Sequence, residues 1–512
     1  MSGVPREFGR LLRAEWTKFR TVRGWTAAAI AAALVTVGLG LFSAAGSHSS
    51  CGTGPVEVAC PPPPTAPTGE AVNDKFYFVH RTLTGDGAIT VRLTSMTGRI
   101  RKPDVKPGER NLVAGVVPWA KAGVMIKEST RQGAPYAAVM MTGEHGVRMQ
   151  HDFTRDVAGR HRDVSERSPL WLRLTRSGGT LTGYESADGR TWTRIGTASP
   201  AGLPRSVRIG MFATSPGDLT VTRADLGGTV AAERFTETTG EFDQVTVVGT
   251  APGGWRHDDI GVTIGPDGAP HHPGRAVRSG GAFAVTGVGD IGPATEGMRA
   301  EAPLAGAPAG LVLVIVVAVL FVTAEYRHGL IRTTLLAAPR RGRALAAKAL
   351  TAGLATFAVA LPAATAAFVL GGRILRANGN AVLPVPPLTQ VRVVVGIAVL
   401  FALAAVLALA LGALLRRGVA AVITAIAAIV VPHIVATTSV LPESAAGWLL
   451  TVTPAAAFAV QQSVPEYPQM LGHYSPLAGF YPLPPLAGLG VLAGYAALAL
   501  GLAALRLRRA DA

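Results

Sequence analysis

Cysteine is nearly absent: two residues, Cys51 and Cys60, in a chain of 512. That excludes a disulfide-dense scaffold and a multi-cysteine zinc or iron–sulfur protein. Aromatics are scarce at 6%, so Ala, Gly, Val and Leu carry most of the 49% apolar content. So much apolar surface excludes intrinsic disorder. No loop of the form GxxxxGK[ST] occurs, so P-loop ATP binding by this chain is not expected. No nucleophile–base pair stands out, so no enzyme activity and no cofactor are expected. Charged residues are only 16%, yet Lys and Arg outnumber Asp and Glu by 48 to 32, for a net charge of +16. A basic excess raises the question of nucleic acid, and its position along the chain decides.

The apolar residues lie in blocks. Residues 26–45, 307–324, 349–371, 393–415, 418–441 and 484–505 are runs with few or no charges. Each approaches the roughly 20 residues a helix needs to cross a bilayer. Six spans are therefore expected, the weakest at 349–371, which is rich in Ala and Thr and holds Pro362. The first block is longer than the roughly 7–15 apolar residues of a signal peptide, so a retained span is expected there.

Between the first two spans lie 260 polar residues, 46–305, with 28 basic and 26 acidic side chains. The remainder holds 20 basic and 6 acidic residues. Seventeen of those 20 fall before the first span, between spans two and three, between four and five, and after the last. With six alternating spans all four places share one side. This is the positive-inside asymmetry, which predicts a cell-membrane, multi-pass protein with cytoplasmic termini and an extracellular 46–305. The basic excess is a topology signal facing the lipid bilayer, and no nucleic-acid partner is expected. Cys51 and Cys60 then share the oxidising side, before the Pro61–Pro64 run of a linker spanning 46–72, and a disulfide between them is expected.

Residues 73–228 alternate as strands do. Candidate strands are Phe76–Arg81, Ala88–Leu93, Asn111–Val117, Ala122–Glu128, Tyr136–Met141, Gly146–Phe153, Trp171–Arg176, Leu181–Glu185, Thr193–Ile195, Val207–Thr214 and Leu219–Ala224, with turns such as Gly85-Asp86-Gly87 between them. An antiparallel sandwich or jelly roll is expected. The stretches Phe78–Leu93, Ala122–Ile126, Trp171–Leu174 and Tyr184–Thr193 resemble concanavalin- or laminin-G-like carbohydrate-binding sandwiches, which implies a possible extracellular glycan ligand. Residues 229–305 fit either a partial second copy or strands completing the first domain. Ser186–Trp192 reads as an Asp-Gly hairpin. His257-Asp258-Asp259 and His271-His272 match no metal-ligand spacing, and no metal is expected. Asp86 reads as a turn aspartate.

The basic segments carry further motifs. Leu11–Trp25 alternates basic residues with Leu, Trp and Phe and fits an interfacial amphipathic helix, with Glu15, Trp16 and Lys18 at its centre. After span two come Glu325, Tyr326, Arg327 and Arg332, then Arg340, Arg341 and Arg343 beyond the Pro339 break. Composition alone allows a plain positive-inside anchor. Taken together, Glu15–Lys18, Glu325–Thr334, Pro339–Lys348 and the six spans resemble permease subunits of ABC type 2 transporters from high-GC Gram-positive bacteria. The resemblance implies a permease dimer driven by a separate ATP-binding ABC subunit, with residues 325–348 as the coupling region. It also implies short re-entrant helices within Pro442–Leu483. The 260-residue insertion departs from that family's short loop. The expected fold is thus an α-helical polytopic membrane domain of six spans (1–45 and 306–512) with an inserted all-β, lectin-like sandwich. A membrane-anchored glycan-binding or sensor protein is the alternative function.

Overall fold

The computed structural model describes residues 4–50, 60–102, 111–223, 229–261, 263–264, 270–271, 273–327, 341–438, 440–470 and 474–509. Eight α-helices are formed among them: α1 Val4–Thr21, α2 Arg23–Ala45, α3 Ala307–Arg327, α4 Arg341–Ala377, α5 Pro387–Leu415, α6 Gly418–Thr437, α7 Glu443–Val452 and α8 Pro485–Arg509. Six of them are long and apolar enough to cross a membrane: α2, α3, α4, α5, α6 and α8. They coincide with the six apolar blocks of the sequence. Helix α4 starts eight residues before its block, at Arg341 rather than 349, because Arg341–Lys348 continues the same helical turn. At 37 residues it is about 55 Å long, well beyond the roughly 30 Å hydrocarbon layer.

Small residues let these helices approach closely, as membrane packing favours. Helices α2 and α3 meet where a Cβ on Gly310 would overlap the Thr36 hydroxyl and one on Gly306 would overlap the Thr36 carbonyl. Helix α5 is central, with Val393, Ile397, Phe401, Ala404 and Ala408 buried against its neighbours. Between α6 and α8 lie the expected short helices: α7, then a 3-10 segment Pro454–Gln461 with residues 454–460 buried.

The segment between α2 and α3 is β-structure, with twenty strands described. Fourteen join in one sheet, curled nearly into a barrel, and all its strand pairs are antiparallel. Its spine is β2, Phe76–Arg101, which pairs with β8 (Leu170–Ser177), β11 (Ser206–Thr214), β14 (Thr236–Thr250) and β15 (Arg256–Ile260). The expected turn at Gly85-Asp86-Gly87 is therefore a correction. Gly85 takes φ +76° and the register against β14 slips between Gly249 and Thr250, so the strand bulges and continues. Strands β14, β15 and β19 (Ala282–Gly287) belong to this sheet, while Thr229–Arg234 pairs in a separate two-stranded sheet. Val79, Ile89, Val91, Val124, Leu172 and Ile209 fill its main core.

Two short strands, β1 (Val72–Asp74) and β20 (Ile291–Pro293), pair where the chain enters and leaves the sheet region. Strand β4 (Lys121–Lys127) holds both. Lys127 Nζ bonds Asp74 Oδ2 at 2.7 Å, and Lys121 Nζ bonds Asp290 and the Ile291 carbonyl. Both lysines are fully buried. Below, Ala294 N–H donates to Ala71 O at 2.9 Å and Leu383 N–H to Met298 O at 2.8 Å, which seats the sheet on the α4–α5 connection.

Candidate functional site

Helix α1 is amphipathic. Glu15 and Phe19, four residues apart, share its buried face, while Trp16, about 100° round the helix from Glu15, is 42% exposed. The Phe19 ring meets Phe321 of α3 edge-on at 5.6 Å, and Trp25 meets the same ring at 5.9 Å. An apolar contact thus brings the polar flank of α1 to the end of α3.

There four charges close a knot. Lys348 Nζ of α4 bonds Glu15 Oε2 at 2.6 Å and Glu325 Oε1 at 2.9 Å. Lys18 Nζ bonds Glu15 Oε1 at 2.9 Å and Glu325 Oε1 at 3.1 Å. Glu15, Glu325 and Lys348 are buried; Lys18 stands at the rim, its side chain 44% exposed. Lys348 also lies 4.3 Å from the centre of the Phe321 ring. The knot is neutral overall, and each carboxylate meets two ammonium groups, the condition for burying charge at tolerable cost. Burial pulls the Lys18 ammonium down, but its hydrogen bonds and the Glu15 and Glu325 charges outweigh that and raise it.

Of the expected coupling residues, Glu325 enters this knot together with Glu15 and Lys18 of the expected interfacial helix. Tyr326 packs under the Arg416 guanidinium, 5.6 Å from its ring centre. Arg341 Nη1 donates to Leu507 O of α8 at 2.8 Å, and Arg506 donates to Leu414 O, so α8 is tied to α4 and α5 at the same end. Arg343 is partly exposed on the first turn of α4, and Arg327 is the last residue of α3. Arg332 and Arg340 lie outside the described residues. The sequence reading missed Lys348 as a site residue. It lay inside the expected coupling region 325–348, where the basic excess alone accounted for it and nothing local pointed to Glu15.

A second feature lies in the sheet region. A cavity of about 370 Å³ is lined by Asn73, Lys75, Glu233, Asp259, Asp290 and Glu296, among others. Burial, then the neighbouring Glu233 carboxylate, push the Glu296 carboxyl up to about 7. The Glu233–Glu296 pair therefore shares a proton below neutrality. No group of three or more His, Cys, Asp or Glu arranged for a metal ion is found among the described residues. Asp86 Oδ1 accepts the Gly178 N–H at 2.7 Å, a bond from the β2 bulge to a distant hairpin, so the turn reading of Asp86 falls with the turn. Asp188 accepts from the Arg190 and Thr191 N–H groups at 2.8 and 2.7 Å, which holds its carboxyl well below the usual range and closes the Asp-Gly turn. Asp258 is taken up by His80 at 2.5 Å; His272 and Cys51 lie outside the described residues.

No protein-family model matches the chain, and no curated protein matches it. Solved structures give weak likenesses. A functionally unknown protein from Saccharomyces cerevisiae is 16% identical at TM-score 0.20, covering 35% of this chain and 76% of that one. Scytalido-glutamic peptidase is 8% identical at TM-score 0.25, covering 42% and 98%. The GH43 BlXynB protein from Bacillus licheniformis is 14% identical at TM-score 0.19, covering 32% and 27%. At such scores these likenesses carry no argument about activity.

Proposed function

We propose that this chain is the membrane permease subunit of an ABC exporter, driven by a separate ATP-binding subunit and working as a permease dimer. The observation that carries the reading is the Glu15–Lys18–Glu325–Lys348 knot. It fixes α1, the end of α3 and the start of α4 to one another, and so brackets the Arg-bearing stretch 328–340 with a rigid frame. A soluble partner that pushed on that stretch would act on three helices at once. Intramembrane-edge carboxylates paired this way are costly to bury and mark functional positions more often than anchors do.

In this reading the knot end, with its basic clusters, faces the cytoplasm together with both termini. The sheet region faces outward as a jelly-roll, lectin-like domain able to hold a glycan. The test is co-purification of the ATP-binding subunit with the full chain, against Arg332→Gln/Arg340→Gln at matched membrane levels. Both arginines lie outside the knot, so insertion should be unchanged while association falls. Unchanged association, with glycan binding retained by the intact chain, would favour the membrane-anchored glycan-binding alternative.

A further inference from the structure

The opposite end of the helical bundle buries a polar cluster that the coupling reading does not use. Glu301, just before the 3-10 turn Ala302–Gly306 that leads into α3, is 8% exposed. Its Oε1 accepts the Ser463 N–H at 3.2 Å. Its Oε2, the Ser463 hydroxyl and Nη1 of Arg299 are all buried with no hydrogen-bond partner in the structure. A buried carboxylate oxygen and a buried hydroxyl without partners, on two segments that meet here, mark a place for a proton or an ordered water between them.

We propose that Glu301 is a proton-binding site that controls how tightly segment 454–463 packs against the start of span two. Charge selects the proton over a metal cation. The charged groups facing Glu301 are Arg299 on its own segment and Arg392 from α5, with the phenols of Tyr481 and Tyr474 beyond them. Two guanidinium groups leave no net negative charge to hold a metal ion, and their opposition to a single proton is outweighed by burial of the carboxylate. Neither pairs with the carboxylate, however. Arg299 lies over the Phe480 ring at 4.0 Å, and Arg392 donates to the carbonyls of Gln462 at 2.7 Å and Val460 at 3.3 Å. A buried carboxylate without an ion-pair partner is relieved by taking a proton or by drawing in water. Burial pushes the Glu301 carboxyl up.

With the proton on, Oε2 becomes a donor, and the dry contact with Ser463 holds. With the proton off, the charge demands hydration. A cavity of about 110 Å³ lined by Ser463, Glu70, Thr389 and Tyr467 is large enough to supply ordered water from that side. Rising pH therefore loosens residues 454–463. His433 of α6 stacks on Phe458 of the same segment at 3.7 Å, so a loosened segment is also expected to free that ring contact.

The experiment is amide exchange, read by mass spectrometry, on the full chain in lipid nanodiscs between about pH 6 and pH 9, corrected for intrinsic exchange chemistry. Protection of peptides covering 454–464 should fall about tenfold or more, the equivalent of one pKa unit in the opening equilibrium. Glu301→Gln, which copies the protonated shape, should stay protected at both ends of the range, and Glu301→Asp should keep the pH dependence. A wild-type profile flat with pH would overturn the proposal. So would a Glu301→Gln profile that follows wild type, which would place the pH dependence in another group. The readout needs no ATPase partner or transport, so its failure leaves the permease reading untouched, and the converse holds.

Discussion

Replacing Lys348 by Met removes the cation that bonds both Glu15 and Glu325. The methionine nearly fills the space and keeps contact with Phe321, so the change is in charge rather than packing. Two buried carboxylates then face each other with only Lys18 between them, and Lys18 is 44% exposed at its side chain. Removing one partner from a buried ion pair costs about 3–5 kcal/mol. The surviving Lys18 contacts and access to water at the rim argue for the lower end, about 3 kcal/mol, or roughly a hundredfold in the docking equilibrium of α1. Amide exchange in α1 of the full chain should quicken by about that factor, with the sheet region unaffected. Lys348→Met combined with Glu15→Gln should recover part of the loss, because one of the stranded charges is gone. Unchanged exchange in α1 would mean that Phe19 and Phe321 hold the helix without help from the knot, and the frame argument would fall with it.

The same logic applies on β4. Lys127→Met strands the fully buried Asp74 and should cost about 3–5 kcal/mol, read as earlier proteolysis of the sheet region. Lys127→Met with Asp74→Asn should restore most of it. Glu296 is raised to about 7, so the folded sheet region holds a proton that the unfolded chain releases near 4.5. Its stability should decline as pH rises from about 4.5 towards 7, and Glu296→Gln should flatten that part of a melting-against-pH profile. Cys51 and Cys60 are expected to pair, so intact mass of the non-reduced chain should lie two hydrogen atoms below the reduced value.

The six apolar helices were legible because an uncharged run near 20 residues has few other uses. Their ends were less so. Basic residues continue α4 past its apolar part, and α6 stops at Thr437, before the Pro442 that opens α7. Most strands were visible through alternation, but β7 (Arg155–Ala158) was missed because it is short and polar. The long spine β2 was divided at a glycine pair that serves equally as turn or bulge. Only β14, about 160 residues away in the chain, decides which. Buried charge was the least legible feature. Lys121 falls just before the candidate strand Ala122–Glu128 and Lys127 within it, and nothing local announces their partners at Asp290 and Asp74. Lys348 was hidden the same way, its carboxylates lying 333 and 23 residues off.

Span two carries a buried carboxylate at each end, Glu301 and Glu325, with no charged side chain between them. The 21 residues of α3 form a rod about 32 Å long. Gly310, with Gly306 just before the helix, brings it close against Thr36 of α2, which leaves the two helices little room to slide past one another. A displacement imposed at the knot should therefore reach the Glu301–Ser463 contact with little loss. This is a claim of coupling, and a double-substitution cycle measures it. Lys348→Met and Glu301→Gln are made singly and together, and exchange protection is read at residues 454–464. If the ends communicate, Lys348→Met loosens that segment in the wild-type background and does so less when Glu301→Gln has already fixed it closed. An interaction energy below about 0.5 kcal/mol, the ordinary scatter of independent sites, would show that the two carboxylates act separately and that α3 is no more than a span.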